Sequence, residues 1–469
     1  MTKYPRIAIG AIKKEADHQP MLWALLDVLE RSGADVQTFR SQACFATVDG
    51  VSSITGQCHR HLDTWLMSSE LCRTLFRRGA QSCDLAIVEG CFETDSRITQ
   101  ERHSNLSIHD KRSTEHDSPL HIGGNLKELC DWLDVPRIGV LDVARIQPCE
   151  ISIQRPPIDA LLLDGVTGMK CFCRLQTQLE ALWGIPVLGA LESLPHVRLA
   201  MESPHREGKT CRTNYRRLGN NLLRYLDFDK LMNLAKRRDF PSDPALHLPT
   251  LAPDQNLSIA VAYDEAFHYY FADALDMLEM GGATIKTFSP LRDESLPQNT
   301  NLVYFGCGHP EKHAWTLSRN HCMHMALRDH VYQHGGVYAE GGGVAYLGQR
   351  MMIPGQSPIP MVGALPIDSH LCPDSTTTVP QEIKLPQSSW LGKAGTRIRG
   401  YLNPHWRLQP LDNLNTFATT HQQRLTFLSQ KQLIGSLLNL NFAAQPDFVH
   451  RIFAQFSQSK STIGHSSVN

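Results

Sequence analysis

Excess charge of either sign is the first thing missing from this 469-residue chain, in which 46 Lys and Arg stand against 47 Asp and Glu. Without a net field, nothing draws in nucleic acid or an anionic membrane surface. No uninterrupted apolar run approaches the ~20 residues needed to cross a bilayer. Met1-Thr2-Lys3-Tyr4-Pro5-Arg6 passes directly into a strand-like run, without the regions of a secretory signal. Paired CxxC sets are missing too. The thirteen cysteines are scattered, and Cys171-Phe172-Cys173, the tightest pair, suits neither a zinc knuckle nor a redox motif. They read as reduced thiols of a cytoplasmic protein rather than as a disulfide framework. Aromatic residues make up only 7%, but the apolar share of 42% is ample for sizeable cores. The 22 histidines form only loose pairs, such as His309 with His313 and His321 with His324, and read as surface or core residues.

A chain of this length is too long for one ordinary core, so two domains are expected. Residues 6–10 form an apolar run ending in Gly10. Leu22, Leu25, Leu26 and Leu29 then fall at helical spacing within residues 21–31, and residues 34–39 form a second strand, giving a βαβ opening. Strands over 83–90, 136–142, 158–164 and 185–191 alternate with helices over 71–78 and 125–133, and a basic helical stretch covers 213–238. Residues 94–119 are polar and read as an insertion. The Pro-rich segment from Phe240 onward lacks periodicity and reads as a linker. Alternation resumes with strands at 257–262, 283–288 and 302–305 and helices over 267–280 and 314–334. The expected architecture is α/β: two doubly wound, mostly parallel sheet domains, residues 1–239 and 257–469, joined by a linker over 240–256.

In such sheets ligands bind at the carboxyl ends of the strands. Glu89 and Asp142 both sit there, and an acid at such a place either binds Mg²⁺ or caps the following helix; Glu89 is the candidate metal ligand. The first βα loop, from Gly10 to His18, has one glycine where a phosphate-binding loop needs several, and acids where phosphates would lie. In the second half, Gly336-Val337-Tyr338-Ala339-Glu340 runs into Gly341-Gly342-Gly343 and out into a helix. This is either a plain tight turn or the strand-turn-helix corner whose apex carries a hydrolytic nucleophile. The apex here is Gly341.

The order of segments resembles the cobyrinic acid a,c-diamide synthases of cobalamin biosynthesis. The resemblance rests on Ala260 to Phe267, Phe288-Ser289-Pro290-Leu291 with Leu296-Pro297, Gly306-Cys307-Gly308-His309-Pro310-Glu311, and Met361-Val362-Gly363 with Leu365-Pro366. Leu62-Asp63-Thr64-Trp65 and Val88-Glu89-Gly90 carry it in the first half. It implies a P-loop-derived ATP domain related to dethiobiotin synthetase, followed by a class I-like glutamine amidotransferase domain. The first would activate a corrin acetate as an acyl phosphate with ATP and Mg²⁺; the second would release ammonia from glutamine through a Cys thioester. A homodimer is also implied, and Asp63, Glu89, Glu340 and His405 become ligand-binding candidates.

The departures fall on the reacting atoms. The family's Gly-Lys-Thr corresponds to Ala16-Asp17-His18, and its Gly-Pro-Asp-Tyr-Ile-Asp segment to Gln42 through Thr47, where an acid expected near metal and substrate is absent. Its Ala-Glu-Cys-Gly-Gly appears as Ala339-Glu340-Gly341-Gly342-Gly343. Its Tyr-Leu-His-Leu-His resembles Leu437-Leu438-Asn439-Leu440-Asn441, and His405 stands one place out of register with another family histidine. A chain with vestigial positions at Gly341, Asn439, Asp17 and His18 lacks the nucleophile and base of a thioester reaction, groups that act as a unit worth on the order of a million-fold. Cys307 is the substitute thiol to weigh, on a loop where the family places Gly-Gly-Gly. The sequence therefore points to a binding or regulatory role toward a corrinoid, a nucleotide-like ligand or a paralogous synthase. The alternative is an active amidoligase with a different residue set.

Overall fold

The computed structural model describes residues 4–13, 16–45, 50–93, 123–145, 156–202, 209–241, 246, 248–252, 255–373, 378–411, 417–419 and 425–459. The insertion expected over 94–119 lies outside them. The chain divides into two compact units, Met1–Leu246 and His247–Asn469. Among the described residues no helix is long and apolar enough to cross a membrane.

In the first unit the elements run β1 (Arg6–Ala11), α1 (Gln19–Arg31), β2 (Val36–Arg40), α2 (Gly50–Thr55), β3 (Arg60–His61), α3 (Ser69–Gly79), β4 (Leu85–Cys91), α4 (Leu126–Leu133), β5 (Arg137–Asp142), β6 (Ala160–Val166), α5 (Met169–Trp183), β7 (Val187–Glu192), α6 (Pro195–Glu202), α7 (Lys209–Leu222) and α8 (Phe228–Ala235). The strands form one sheet in the order β3-β2-β4-β1-β5-β6-β7, and every pairing is parallel. Strands covered on both faces read as continuous apolar runs, as residues 6–11 and 160–164 do. Helix α1 is buried almost all round, from Pro20 to Leu29, because it lies between the sheet and α7. The basic stretch at 213–238 is two helices rather than one. The Asp227 backbone N–H turns to Leu188 O at 2.8 Å, and its side chain caps α8 by accepting from the Lys230 N–H, a restart signal of the usual kind.

Arg6 opens β1 and is fully buried. Its guanidinium donates to the carbonyls of Tyr4, Leu133, Asp134, Arg238 and Asp239, and its carbon sits 5.1 Å from the Phe240 ring centroid. A buried cation without a carboxylate partner persists only when its N–H groups are all satisfied in this way.

In the second unit β8 (Gln255–Asn256) and β9 (Ser258–Ala262) lead to α9 (Ala272–Met280), β10 (Thr284–Phe288), β11 (Leu302–Phe305), α10 (Ala314–Arg319), α11 (His321–Tyr332), β12 (Gly336–Glu340) and α12 (Gly342–Leu347). Strands β10-β9-β11-β12 are parallel neighbours. The helix expected over 314–334 breaks at Asn320. Its side chain accepts from the Met323 N–H to start α11, and donates to the carbonyls of Pro290 and Asp293 at 2.9 and 2.8 Å.

Beyond the corner come β13 (Arg350–Met352), β14 (Ile359–Pro360), β15 (Ile367–Leu371), β16 (Val379–Lys384), β17 (Arg397–Leu402), β18 (Trp406–Pro410), β19 (Phe417–Thr419), β20 (Leu425–Gln430), β21 (Leu433–Ser436), β22 (Leu438–Asn439), α13 (Pro446–Phe456) and β23 (Gln458–Ser459). Strand β21 joins β12 in parallel. From there β20, β18 and β15 continue the same sheet antiparallel, while β16-β17-β22 make a small sheet of their own. This antiparallel flank is what the sequence reading did not place.

Candidate functional site

The corner is built as the glycines require. Strand β12 is buried along its whole length, and at its end Gly341 adopts φ +46° and ψ −109°, a conformation a side chain makes costly and glycine does not. Its N–H donates to Ser436 O at 2.9 Å, and its carbonyl accepts from the Val344 N–H at 3.1 Å to open α12. Gly341 thus holds the geometry of a nucleophile corner while offering no reacting atom.

The loop after β11 faces this corner. A Cβ at Gly306 would come within 2.5 Å of Tyr269 O, and one at Gly308 within 2.1 Å of Ala266 O. Only the middle position, Cys307, has room for a side chain. That side chain goes to the corner: a Cβ at Gly341 would stand 2.9 Å from the Cys307 Sγ. The thiol fills the space in front of the apex.

Around it stand the other corner residues. The Asn439 Nδ2 donates to the Cys307 Sγ at 2.8 Å and to the Glu340 Oε2 at 3.4 Å. The Glu340 Oε1 accepts from the Tyr338 hydroxyl at 2.6 Å and from the Leu440 N–H at 3.1 Å. Cys307 is 4% exposed, and Glu340 and Asn439 1% each. Burial pushes the Glu340 carboxyl up to about 7 against the hydrogen bonds from Tyr338, Leu440 and Asn439. Burial first, and then Glu340, also hold the Cys307 thiol well above its ordinary range. A thiol so raised is a poor nucleophile. Nor does Asn439 supply a base, since an amide takes no proton near neutrality. Asn441 uses its Oδ1 to accept from the Ala443 N–H at 3.0 Å, a local turn.

The structure also brings His405 to the loop that carries Cys307. His405 lies between β17 and β18, and its N–H donates to Asn403 Oδ1 at 3.0 Å. Its Nε2 is 3.6 Å from Glu311 Oε1. The same carboxylate oxygen is 2.9 Å from His309 Nδ1. Spacing along the chain gave no sign of this trio, since His405 arrives through the short connection between β17 and β18, which lie in different sheets. Glu311 is a carboxylate that burial alone would raise, but His309 and then His405 bring it down to about 2.

In the first unit, Glu89 stands at the carboxyl end of β4, fully buried. Its Oε1 accepts from Arg40 Nε at 2.6 Å, and its Oε2 from Gln19 Nε2 at 2.9 Å, with His18 Nε2 at 2.6 Å. Burial raises this carboxyl, but Arg40, followed by His18, outweighs it and holds the acid well below the usual carboxylate range. Asp17 Oδ1 accepts from the Gln19 N–H at 2.9 Å, at the start of α1. Asp63 is fully buried and accepts from the backbone N–H groups of Ala43, Trp65 and Leu66 at 2.9 to 3.2 Å, so it shapes two loops. Asp142 pairs with Arg145 at 3.3 Å and accepts from the Ala144 N–H at 3.0 Å. It lines a cavity of about 200 Å³ with Ile12, Lys13, Ala16, Val140, Leu141 and Arg145.

These residues do not fit Mg-ATP bound in the way the resemblance implies. A phosphate-bound cation beside Glu89 would meet the Arg40 guanidinium already paired with that acid and the His18 imidazole hydrogen-bonded to it, and the resemblance sets His18 against the family's metal-binding hydroxyl.

In the second unit, residues 258–434 match the family model described as a CobB/CobQ-like glutamine amidotransferase domain. Over most of its length the chain also aligns with proteins named cobyrinate a,c-diamide synthase. That of Syntrophotalea carbinolica is 26% identical over 411 residues, 85% of either chain. That of Listeria monocytogenes (serovar 1/2a) is 26% identical over 439 residues, 91% of this chain and 90% of the relative. That of Dehalococcoides mccartyi (strain 195) is 25% identical over 471 residues, 95% and 96%. The chain is thus similar over most of its length to cobyrinate a,c-diamide synthases.

Proposed function

We propose that the chain is a member of the cobyrinate a,c-diamide synthase family that has given up ATP- and glutamine-dependent amidation and serves as a binding or regulatory protein toward a corrinoid or toward a paralogous synthase. The observation that carries this reading is the corner. The apex is Gly341, the nearest thiol is sealed with a raised pKa, and the neighbour that should take its proton is the amide of Asn439. Removing nucleophile and base together costs on the order of a million-fold, because the two act as a unit. The Arg40-Glu89-His18 cluster supports the same reading in the first unit. A homodimer and a cytoplasmic setting are part of the proposal.

The test is a pair of assays on the full chain. Titration with Mg-ATP in a calorimeter, with and without cobyrinate, is expected to give no heat of binding, and incubation with glutamine to release ammonia no faster than buffer. A second reading, an active synthase with Cys307 as the nucleophile, is favoured by the position of the Cys307 Sγ beside the place of the missing side chain. Glutamine turnover that disappears in Cys307→Ser would establish it and end the first.

A further inference from the structure

We propose that His309, Glu311 and His405 form a binding site for one divalent transition-metal ion, Zn²⁺ being the reference case. This goes beyond the reading of the corner and does not depend on it. Each of the three offers one donor atom, and the three atoms lie within 4.8 Å of one another. The two edges, 2.9 Å between His309 Nδ1 and Glu311 Oε1 and 3.6 Å between that oxygen and His405 Nε2, straddle the roughly 3.4 Å that separates donors sharing one tetrahedral ion at bond lengths of about 2.1 Å. Two imidazoles and one carboxylate suit Zn²⁺, Fe²⁺ and Co²⁺, whereas Mg²⁺ and Ca²⁺ call for oxygen throughout.

The groups are held rather than loose. His309 and Glu311 flank Pro310, which opens the 3-10 turn Pro310–His313 and lies against the corner, where a Cβ at Gly342 would meet its Cδ at 2.7 Å. His405 is fixed by its N–H on Asn403 and by its carbonyl, which accepts from the Cys372 N–H at 2.8 Å. The His309 and His405 rings are 6.3 Å apart at 86°, and Tyr269 packs edge-on to His309 at 5.9 Å. Two donor atoms are unspent: Glu311 Oε2 and His405 Nε2 are buried and make no hydrogen bond within the described residues. Leaving such atoms unsatisfied is costly; an ion at the trio would satisfy His405 Nε2, and a carboxylate bound to it through both oxygens would satisfy Glu311 Oε2 as well. With side-chain exposures of 25%, 11% and 23%, the trio is open on one side, so an ion has a way in and a fourth position for water or a ligand.

The experiment takes the full chain, stripped of metal by chelator dialysis, and titrates it with ZnCl₂ in a calorimeter, with Co²⁺ absorption as a second readout. The expected result is one Zn²⁺ per chain, bound at about micromolar strength or tighter, and visible bands of tetrahedral N/O coordination from Co²⁺. Affinity should fall about 100-fold or more in Glu311→Gln and in His405→Ala, and stay unchanged in His313→Ala, the neighbouring histidine outside the trio. Thermal unfolding of the stripped variants separates lost ligation from lost folding, and the Co²⁺ spectrum of the unaltered chain decides the matter if a variant does not fold. Absence of Zn²⁺ binding overturns the proposal, and so does binding that persists undiminished in the His309→Ala/His405→Ala double variant.

Discussion

Glu340 is an acid whose neighbours all act as donors and whose surroundings exclude water, so it keeps its proton to about pH 7 where an ordinary glutamic acid loses it near 4.5. Between these two values the unfolded chain has released the proton and the folded chain has not. The stabilisation is therefore complete below about pH 4.5 and is lost as pH rises through about 7, by roughly 3 kcal/mol in all. Glu340→Gln keeps an oxygen for Tyr338 and Leu440 and has no proton to lose; its denaturant midpoint should be flatter between pH 5 and 8 and higher than that of the unaltered chain at pH 8. Cys307 gives a second residue-scale expectation. A thiol that is buried and raised in pKa resists alkylation, so brief iodoacetamide treatment followed by peptide mass mapping should find the exposed Cys58, Cys173 and Cys322 labelled and Cys307 untouched. Modification of Cys307 as fast as these three would contradict the sealed site.

At the scale of elements, the corner is a β12-turn-α12 unit facing the β11 loop, and its two sides exclude each other. Gly341→Cys alone places a Cβ at φ +46° and 2.9 Å from the Cys307 Sγ, and should cost about 1–3 kcal/mol by urea titration without conferring activity. Joined with Cys307→Gly and Asn439→His, the same substitution has room and a base, and measurable glutaminase activity is expected. If the triple variant folds and stays inert, the account of the corner given under the proposed function is overturned.

The corner was legible in the sequence because three adjacent glycines follow a buried strand, and the buried-strand runs of both units were legible because parallel strands covered on both faces have no polar alternation. What β11 presents to the corner was not, since Cys307 and Gly341 meet only through the β11–β12 pairing. The strands after Met352 were missed for a related reason. Short antiparallel strands such as Arg397–Leu402 and Trp406–Pro410 expose alternate residues, and their pattern blends with that of loops. The helix breaks at Asn320 and Asp227 depend on capping partners, and propensity alone runs through them.

Taken whole, the chain carries a core in each unit. The first surrounds α1, where Leu22, Leu25, Leu26 and Leu29 are fully buried beside Ile7, Ile9 and Leu85. The second holds β9, β11 and β12, with Ile259, Val303 and Val337 equally enclosed. Two cores of this size do not melt as one cooperative block. Scanning calorimetry should give a measured enthalpy larger than the van't Hoff value from the same trace, and added Zn²⁺ should raise only the transition of the second unit. Agreement of the two enthalpies would mean that the units unfold together.

The sulfur lodged before Gly341 acts as a ratchet. On the proposed function, a lineage that carries it cannot regain the family's reaction by one codon change at the apex, because the returning side chain would find its place taken; the obstructing residue must leave first, and that departure alone restores nothing for selection to favour.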